Sequence, residues 1–108
     1  MYLLIKLPTH VESFRLSDRS QWSIGRHPDS NIVIDEREIS RKHAVLQREG
    51  LSFILEDQGS KNGTYVNGER IAKARYLEGP ETIRFGPIEC KLSRFPVQLI
   101  STNPKTIT

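Results

Sequence analysis

Three short clusters in this sequence carry side chains able to grip an anion. The first is Ile24-Gly25-Arg26. An arginine directly after a glycine at a loop mouth offers a planar fork of N–H donors with little backbone bulk beside it. That shape suits a phosphate or a carboxylate. The second, Ser40-Arg41-Lys42-His43-Ala44, sets a hydroxyl beside two cations and an imidazole that can donate from one nitrogen and accept at the other. The third, Gly59-Ser60-Lys61-Asn62-Gly63-Thr64, is a glycine-rich polar stretch whose backbone N–H groups can form an anion-binding nest. It is not a nucleotide P-loop, which needs Gly-Lys followed by Ser or Thr; here Gly63 runs straight into Thr64.

Each cluster also has a plainer reading. Most arginines are exposed, and Arg26 by itself would pass for one of them. Ser40 and His43 could be mistaken for a nucleophile and its base. The strained Gly-x-Ser-x-Gly elbow is missing, however, and no acidic partner stands in a motif to orient the ring. A buried, hydrogen-bonded structural role suits His43 better. Asn67-Gly68 reads as a tight turn.

The segments around these clusters are short and strand-like. Tyr2 to Leu7 is rich in apolar residues and stops at Pro8, which cannot donate to a ladder. Phe14 and Leu16 alternate with polar neighbours, and Trp22 and Ile24 continue the alternation until Gly25. Asn31 to Asp35 is a β-branched run preceded by Pro28-Asp29-Ser30. Ala44 to Leu46 and Leu51 to Leu55 are joined through Glu49-Gly50, a hairpin signal, and Tyr65 to Ile71 has Asn-Gly at its centre. Ile83 and Phe85 alternate before Gly86-Pro87, and Ile88 to Phe95 supplies a last strand. The stretch Glu69 to Glu78 has few breakers but is marginal for an isolated helix, so loop or irregular strand is expected. Many short strands with frequent turns predict an all-β sandwich or barrel.

Bulk properties narrow the function. The chain has 108 residues, ordinary for one domain, with 36% hydrophobic and 27% charged residues. No apolar run approaches the roughly 18 residues a membrane span needs. The apolar opening lacks a small-residue cleavage site and reads as a first strand, not a signal peptide. Cys90 is the single cysteine, so no internal disulfide or cysteine-based metal cluster can form, and a lone thiol fits a reducing cytoplasm. The net charge of +3 favours anionic partners without choosing among them. His10, His27 and His43 lack metal-ligand spacing, and no carboxylate pair is placed by a motif, so neither catalysis nor a metal or other cofactor is expected.

Taken together and in order, the clusters are far more specific than any one of them. Gly-Arg, then Ser-Arg-x-His-Ala, then Gly-Ser-x-Asn-Gly-Thr with Asn-Gly shortly after, resembles the forkhead-associated (FHA) domain family. The lead-in Ile34 to Ile39 has the length this family shows before its motif serine, and Leu77…Ile83-Arg84-Phe85-Gly86 looks like its closing strand signal. The resemblance runs from about Met1 to Phe95. One departure falls at Gly79-Pro80-Glu81, where the family more often has Gly-Asp one position later; it concerns a turn and not the site.

The resemblance implies a β-sandwich of roughly eleven strands in two antiparallel-rich sheets, with loops at one end that grip a phosphothreonine peptide. It implies a domain over residues 1–95 and a tail or linker over 96–108. Arg26 and Ser40 should then contact the phosphate, and Asn62 should hold the peptide main chain. Arg41 and Lys61 add charge or a backbone donor. His43 and Asn67 look like residues that shape the loops, as do Thr64 and Gly68, while Gly25, Gly59 and Gly63 supply backbone room or positive φ. Glu38, just ahead of the motif serine, is expected to disfavour acidic peptide residues.

The expected partner is therefore a phosphothreonine-containing protein prepared by a Ser/Thr kinase, bound by a monomeric signalling adaptor; neither nucleic acid nor membrane is expected. Two alternatives stay open on the sequence. One is a basic β module that binds nucleic acid, although no aromatic-plus-basic strand signature supports it. The other is an FHA-like interaction domain that works without phosphate, against which the intact Arg26, Ser40 and Asn62 argue.

Overall fold

The computed structural model describes residues 1–96. Among these there are eleven strands in two sheets and no helix. The strands are β1 (Tyr2–Lys6), β2 (Val11–Arg15), β3 (Gln21–Gly25), β4 (Ile32–Val33), β5 (Ala44–Glu49), β6 (Ser52–Asp57), β7 (Thr64–Val66), β8 (Glu69–Arg70), β9 (Ala74–Leu77), β10 (Thr82–Phe85) and β11 (Ile88–Ser93). One sheet has the order β2-β1-β11-β10-β7-β8 and the other β4-β3-β5-β6-β9. Only the β3–β4 pair is parallel.

Alternation along the strands builds the core. Leu3 and Ile5 of β1 lie opposite Leu92 and Cys90 of β11, and Ile83 and Phe85 of β10 continue this inward face. The second sheet answers with Trp22, Ile24, Leu46, Phe53, Leu55 and Leu77, all buried. Each large side chain so enclosed stabilises the fold by about 1.5–3 kcal/mol relative to its exposed state. Arg48 closes one rim: its guanidinium lies 5.1 Å from the Phe53 ring centre and 5.6 Å from that of Trp22, and donates to the Leu16 carbonyl at 3.0 Å.

The turns follow their residues. Asn67 and Gly68 both have positive φ, 51° and 84°, which is the requirement of a type I′ hairpin between β7 and β8. The β5–β6 hairpin turns one residue later than expected, at Gly50-Leu51, because Gly50 supplies the positive φ of 64°. The run Asn31 to Asp35 contributes only two strand residues, since Asn31 is used as a clasp. Its side-chain oxygen accepts from the Ser23 amide at 2.9 Å, and its own amide donates to the Ser23 hydroxyl at 2.9 Å. Strand β2 is an exposed edge with only Phe14 half buried. The last strand stops at Ser93, whose hydroxyl bonds to both the amide and the carbonyl of Phe95. At Gly79-Pro80-Glu81 the carboxylate of Glu81 accepts from the amides of Glu78 and Gly79, so the acid one position on closes the turn.

Among the described residues no helix is long and apolar enough to cross a membrane. The expected tail, residues 96–108, lies outside the described residues apart from Pro96.

Candidate functional site

Three connections leave the sheets at one end and are laced together. The link from β3 to β4 carries Arg26. Its amide donates to the Ser40 carbonyl at 3.0 Å, and the next amide, of His27, reaches the Arg41 carbonyl at 3.3 Å. Such close approach is possible only because residue 25 is glycine: a Cβ there would sit on the Arg41 carbonyl oxygen and 3.1 Å from that of Ser40. The link from β4 to β5 carries Glu38 to His43, and the link from β6 to β7, which crosses from one sheet to the other, carries Gly59 to Gly63.

His43 joins the last two links. It is fully buried and packs edge-on to Phe85 with ring centres 5.6 Å apart. Its Nδ1 accepts the Ser40 amide at 3.1 Å, so the ring proton sits on Nε2 and is donated to the Gly63 carbonyl at 2.9 Å. Burial holds the imidazole below its ordinary pKa, only partly offset by the Gly63 carbonyl and the Asp57 charge. Both nitrogens are occupied, and neither faces the Ser40 hydroxyl.

A second hub was not read from the sequence. Asp57, at the end of β6, accepts from the Ser60 hydroxyl at 2.6 Å, the Thr64 hydroxyl at 2.7 Å, and the amides of Gly59 and Ser60 at 2.9 and 3.0 Å. Burial alone would push its carboxyl up, but these donors outweigh it and hold the pKa below the ordinary value. Ser60 passes the connection on by accepting the Gly63 amide at 3.0 Å. Gly59 and Gly63 have φ of 74° and 88°, as the tight path demands. The available signal was Asp57-Gln58-Gly59-Ser60, an acid followed by turn formers at the spacing of a side-chain-capped turn.

The residues expected to touch a ligand surround one open hollow of about 470 Å³. It is lined by Arg26, Glu38, Ser40, Arg41, Lys61 and Asn62, with Arg37 as an unforeseen member. Arg26 Nε donates to the Ile39 carbonyl at 3.0 Å, which fixes the guanidinium plane and leaves its two terminal nitrogens without a partner among the described residues. Ser40 Oγ accepts the Lys61 amide at 3.0 Å, so its hydroxyl hydrogen remains available to an acceptor in the hollow. Asn62 Nδ2 donates to the Glu38 carbonyl at 2.8 Å; its second N–H and its carbonyl oxygen are still unused. Arg26, Arg37, Arg41 and Lys61 face the single acid Glu38, and none of the four is in an ion pair among the described residues. A concave, open surface with four unpaired cations and preset N–H and O–H donors can hold a multiply charged oxyanion.

The remaining expected residues stand behind this surface. Thr64 is fully buried on Asp57, and Asn67 staples the β7–β8 hairpin to β10 by accepting the Thr82 amide at 3.0 Å. Gly68 completes that turn.

The family model of the FHA domain matches residues 22–86. The chain belongs to the FHA domain family. Strands β1, β2 and β11 lie outside the matched range and complete the six-stranded sheet of this FHA domain.

Among curated proteins, it is similar to the glycogen accumulation regulator GarA of Mycolicibacterium smegmatis, 43% identical over 79 residues, which is 73% of this chain and 50% of that protein. It is also similar to an oxoglutarate dehydrogenase inhibitor of Corynebacterium diphtheriae, 43% identical over 93 residues, covering 72% of this chain and 65% of the inhibitor. The chain spans about half the length of the GarA relatives it matches. Among solved structures, the FHA domain of CT664 from Chlamydia trachomatis superposes with a TM-score of 0.76 at 27% identity, covering 88% of this chain and 99% of that one. Mycobacterium tuberculosis EmbR, solved in complex with a low affinity phosphopeptide, gives a TM-score of 0.69 at 28% identity over 85% of this chain and 24% of EmbR.

Proposed function

We propose that this FHA domain binds phosphothreonine on partner proteins and acts as a non-catalytic signalling adaptor. The observation that carries this reading is that the tethered Arg26 guanidinium and the Ser40 hydroxyl line one hollow from two different loops. A phosphothreonine brings about −1.5 to −2 charge and three strong acceptor oxygens. Arg26 meets two of them through its terminal nitrogens, in charge-assisted bonds worth about 1.5–3 kcal/mol each. Ser40 donates its hydroxyl to the third. Asn62 holds the peptide main chain with its unused amide groups, and Arg41, Lys61 and Arg37 supply unpaired charge around it. That EmbR, similar to this chain over 24% of its own length, was solved with a phosphopeptide supports phosphopeptide binding here.

The absence of catalysis has its own support. His43 uses Nδ1 and Nε2 within the fold, so it has no lone pair left to activate Ser40. We further propose residues 1–95 as the domain and 96–108 as a tail or linker, in a monomer that works in the cytoplasm.

The test is a phosphothreonine-oriented peptide library on the wild type and on Arg26→Ala, followed by titration of the best peptide with and without its phosphate. Selection that depends on both the phosphate and Arg26 is expected. Equal binding of the phosphorylated and unphosphorylated peptides would favour an interaction domain independent of phosphate. Steeply salt-dependent nucleic-acid binding that survives Arg26→Ala would favour the nucleic-acid reading instead.

A further inference from the structure

The two sheets present outer faces of opposite charge. Residues directly opposite one another across a ladder share a face, so register alone identifies them. On the six-stranded sheet the outward residues include Lys6, Arg15, Arg70, Arg84 and Lys91, against the one acid Glu89: five cations to one carboxylate. On the five-stranded sheet the outward strand residues carry Glu49 and Glu56 and no cation. A net charge of +3 for the whole chain is therefore far from evenly spread.

The cations lie in an ordered row. Lys6, Glu89, Arg84, Tyr65 and Arg70 are successive cross-strand partners on β1, β11, β10, β7 and β8, spanning about 19 Å at the usual strand spacing. Lys91 lies on the next row, opposite Leu4 and Thr82. The Arg84 guanidinium stacks 4.0 Å from the centre of the Tyr65 ring, which fixes it against the sheet. Glu89 stands between Lys6 and Arg84, yet none of the five cations is in an ion pair among the described residues. Their charge is left for something else.

One end of this row reaches the loop that lines the hollow. Arg70 packs its guanidinium against Gly63, next to Asn62, and Arg84 is two residues before Gly86, whose amide donates to the Gly63 carbonyl. We propose that the outer face of the six-stranded sheet docks an acidic segment of the same phosphorylated partner whose phosphothreonine occupies the hollow. The inference rests on the phosphothreonine reading, and what joins the two sites is the contact of Arg70 with Gly63, one residue from Asn62 at the rim of the hollow. Tethering makes the second contact intramolecular, so weak surface attractions add to a measurable gain. The acidic segment lies on the sheet and not beside Glu38, which disfavours acid only locally.

The experiment compares a phosphothreonine peptide with neutral flanks and the same peptide extended, at either end, by a Gly-Ser linker of about ten residues and a run of glutamates. Wild type is titrated against Lys6→Gln/Arg84→Gln/Lys91→Gln and, to keep the Arg84–Tyr65 stack, against Lys6→Gln/Lys91→Gln. The extension at one end should tighten binding to wild type roughly 10-fold at low salt, and most of that gain should vanish at high salt and in the triple variant. The double variant should lose part of it. The neutral-flank peptide should bind all three proteins alike, which also reports that the variants are folded. Failure of the neutral-flank peptide to bind wild type would overturn the phosphothreonine reading, and this proposal with it. Normal binding of that peptide with no gain from either extension, or an equal gain in the triple variant, would overturn this proposal alone. A single-stranded oligonucleotide that binds more tightly than the extension contributes, and is lost in the same variants, would reassign the face to nucleic acid and overturn it too.

Discussion

The main-chain N–H of Ser40 donates to Nδ1 of His43 across 3.1 Å. That bond requires an unprotonated Nδ1, and the ring's other nitrogen gives its proton to Gly63. A second proton on the ring would sever the link to Ser40, the residue proposed to meet the phosphate.

The first prediction is a loss of stability in mild acid. The folded-state pKa of His43 is below its ordinary value of 6.5, so the unfolded chain binds the extra proton first. Stability from this site is full above about pH 6.5 and declines as pH falls below it. Thermal melts between pH 8 and 5 should show the decline. His43→Gln, whose amide can accept and donate but does not titrate, should melt lower at pH 8 and fall less steeply. An identical slope in the two proteins would rule out His43 as the source.

Arg26 is predicted to be irreplaceable by lysine. An ammonium has no side-chain nitrogen that can be tied to the Ile39 carbonyl while two others meet a phosphate in one plane. Arg26→Lys and Arg26→Ala should each weaken a phosphothreonine peptide at least about 100-fold by fluorescence anisotropy, with unchanged melting temperature within a few degrees. Lysine rescue to within about threefold of wild type would contradict the geometry.

Asp57→Asn should unfasten the loop that carries Asn62. The amide keeps one acceptor where the carboxylate serves four donors, and its NH2 group would face a hydroxyl or amide hydrogen. A destabilisation of about 1–3 kcal/mol in urea titration is expected, with weaker phosphopeptide binding at temperatures where the variant is still folded. Because the Asp57 pKa is lowered from 3.8, the wild type should keep this contribution above that pH and lose it as pH falls further. The variant should lack that acid-range loss.

Gly25→Ala tests the approach of two loops. The added methyl would overlap the Arg41 carbonyl oxygen, and backbone there cannot rotate away as a side chain can. Loss of binding together with a lowered melting temperature is expected; a variant that binds and melts like wild type would mean the loops are farther apart in solution.

Glu38 bears on peptide choice. Its carbonyl is committed to Asn62, but its side chain lines the hollow. In a degenerate phosphopeptide library, Glu38→Lys should increase selection of acidic residues next to the phosphothreonine; an unchanged profile would remove Glu38 from the selectivity of the site.

Most of the fold was legible because alternation and turn chemistry are local. Trp22 and Ile24, or Ile83 and Phe85, announce their inward faces without any knowledge of the partner sheet. Asn67-Gly68 states its own turn type. What escaped was nonlocal. Asp57 is the exception: its turn signal with Gly59 and Ser60 is local, but that the Thr64 hydroxyl also closes on it appears only in the fold. Arg37 lies in a lead-in whose length was readable but whose direction depends on where Ile39 is buried. Likewise, the family resemblance implies Asn62 as a peptide holder, and could not reveal that half its amide already clasps the Glu38 carbonyl.

Four rungs sew the β4–β5 connection to the β6–β7 connection: Ser40 to Lys61, Glu38 to Asn62, and His43 to both Gly63 and Gln58. The two segments are thus a single structural part. Anyone wishing to retarget the domain by transplanting a loop from a relative would have to move both at once, since either one alone would arrive with its stitches cut.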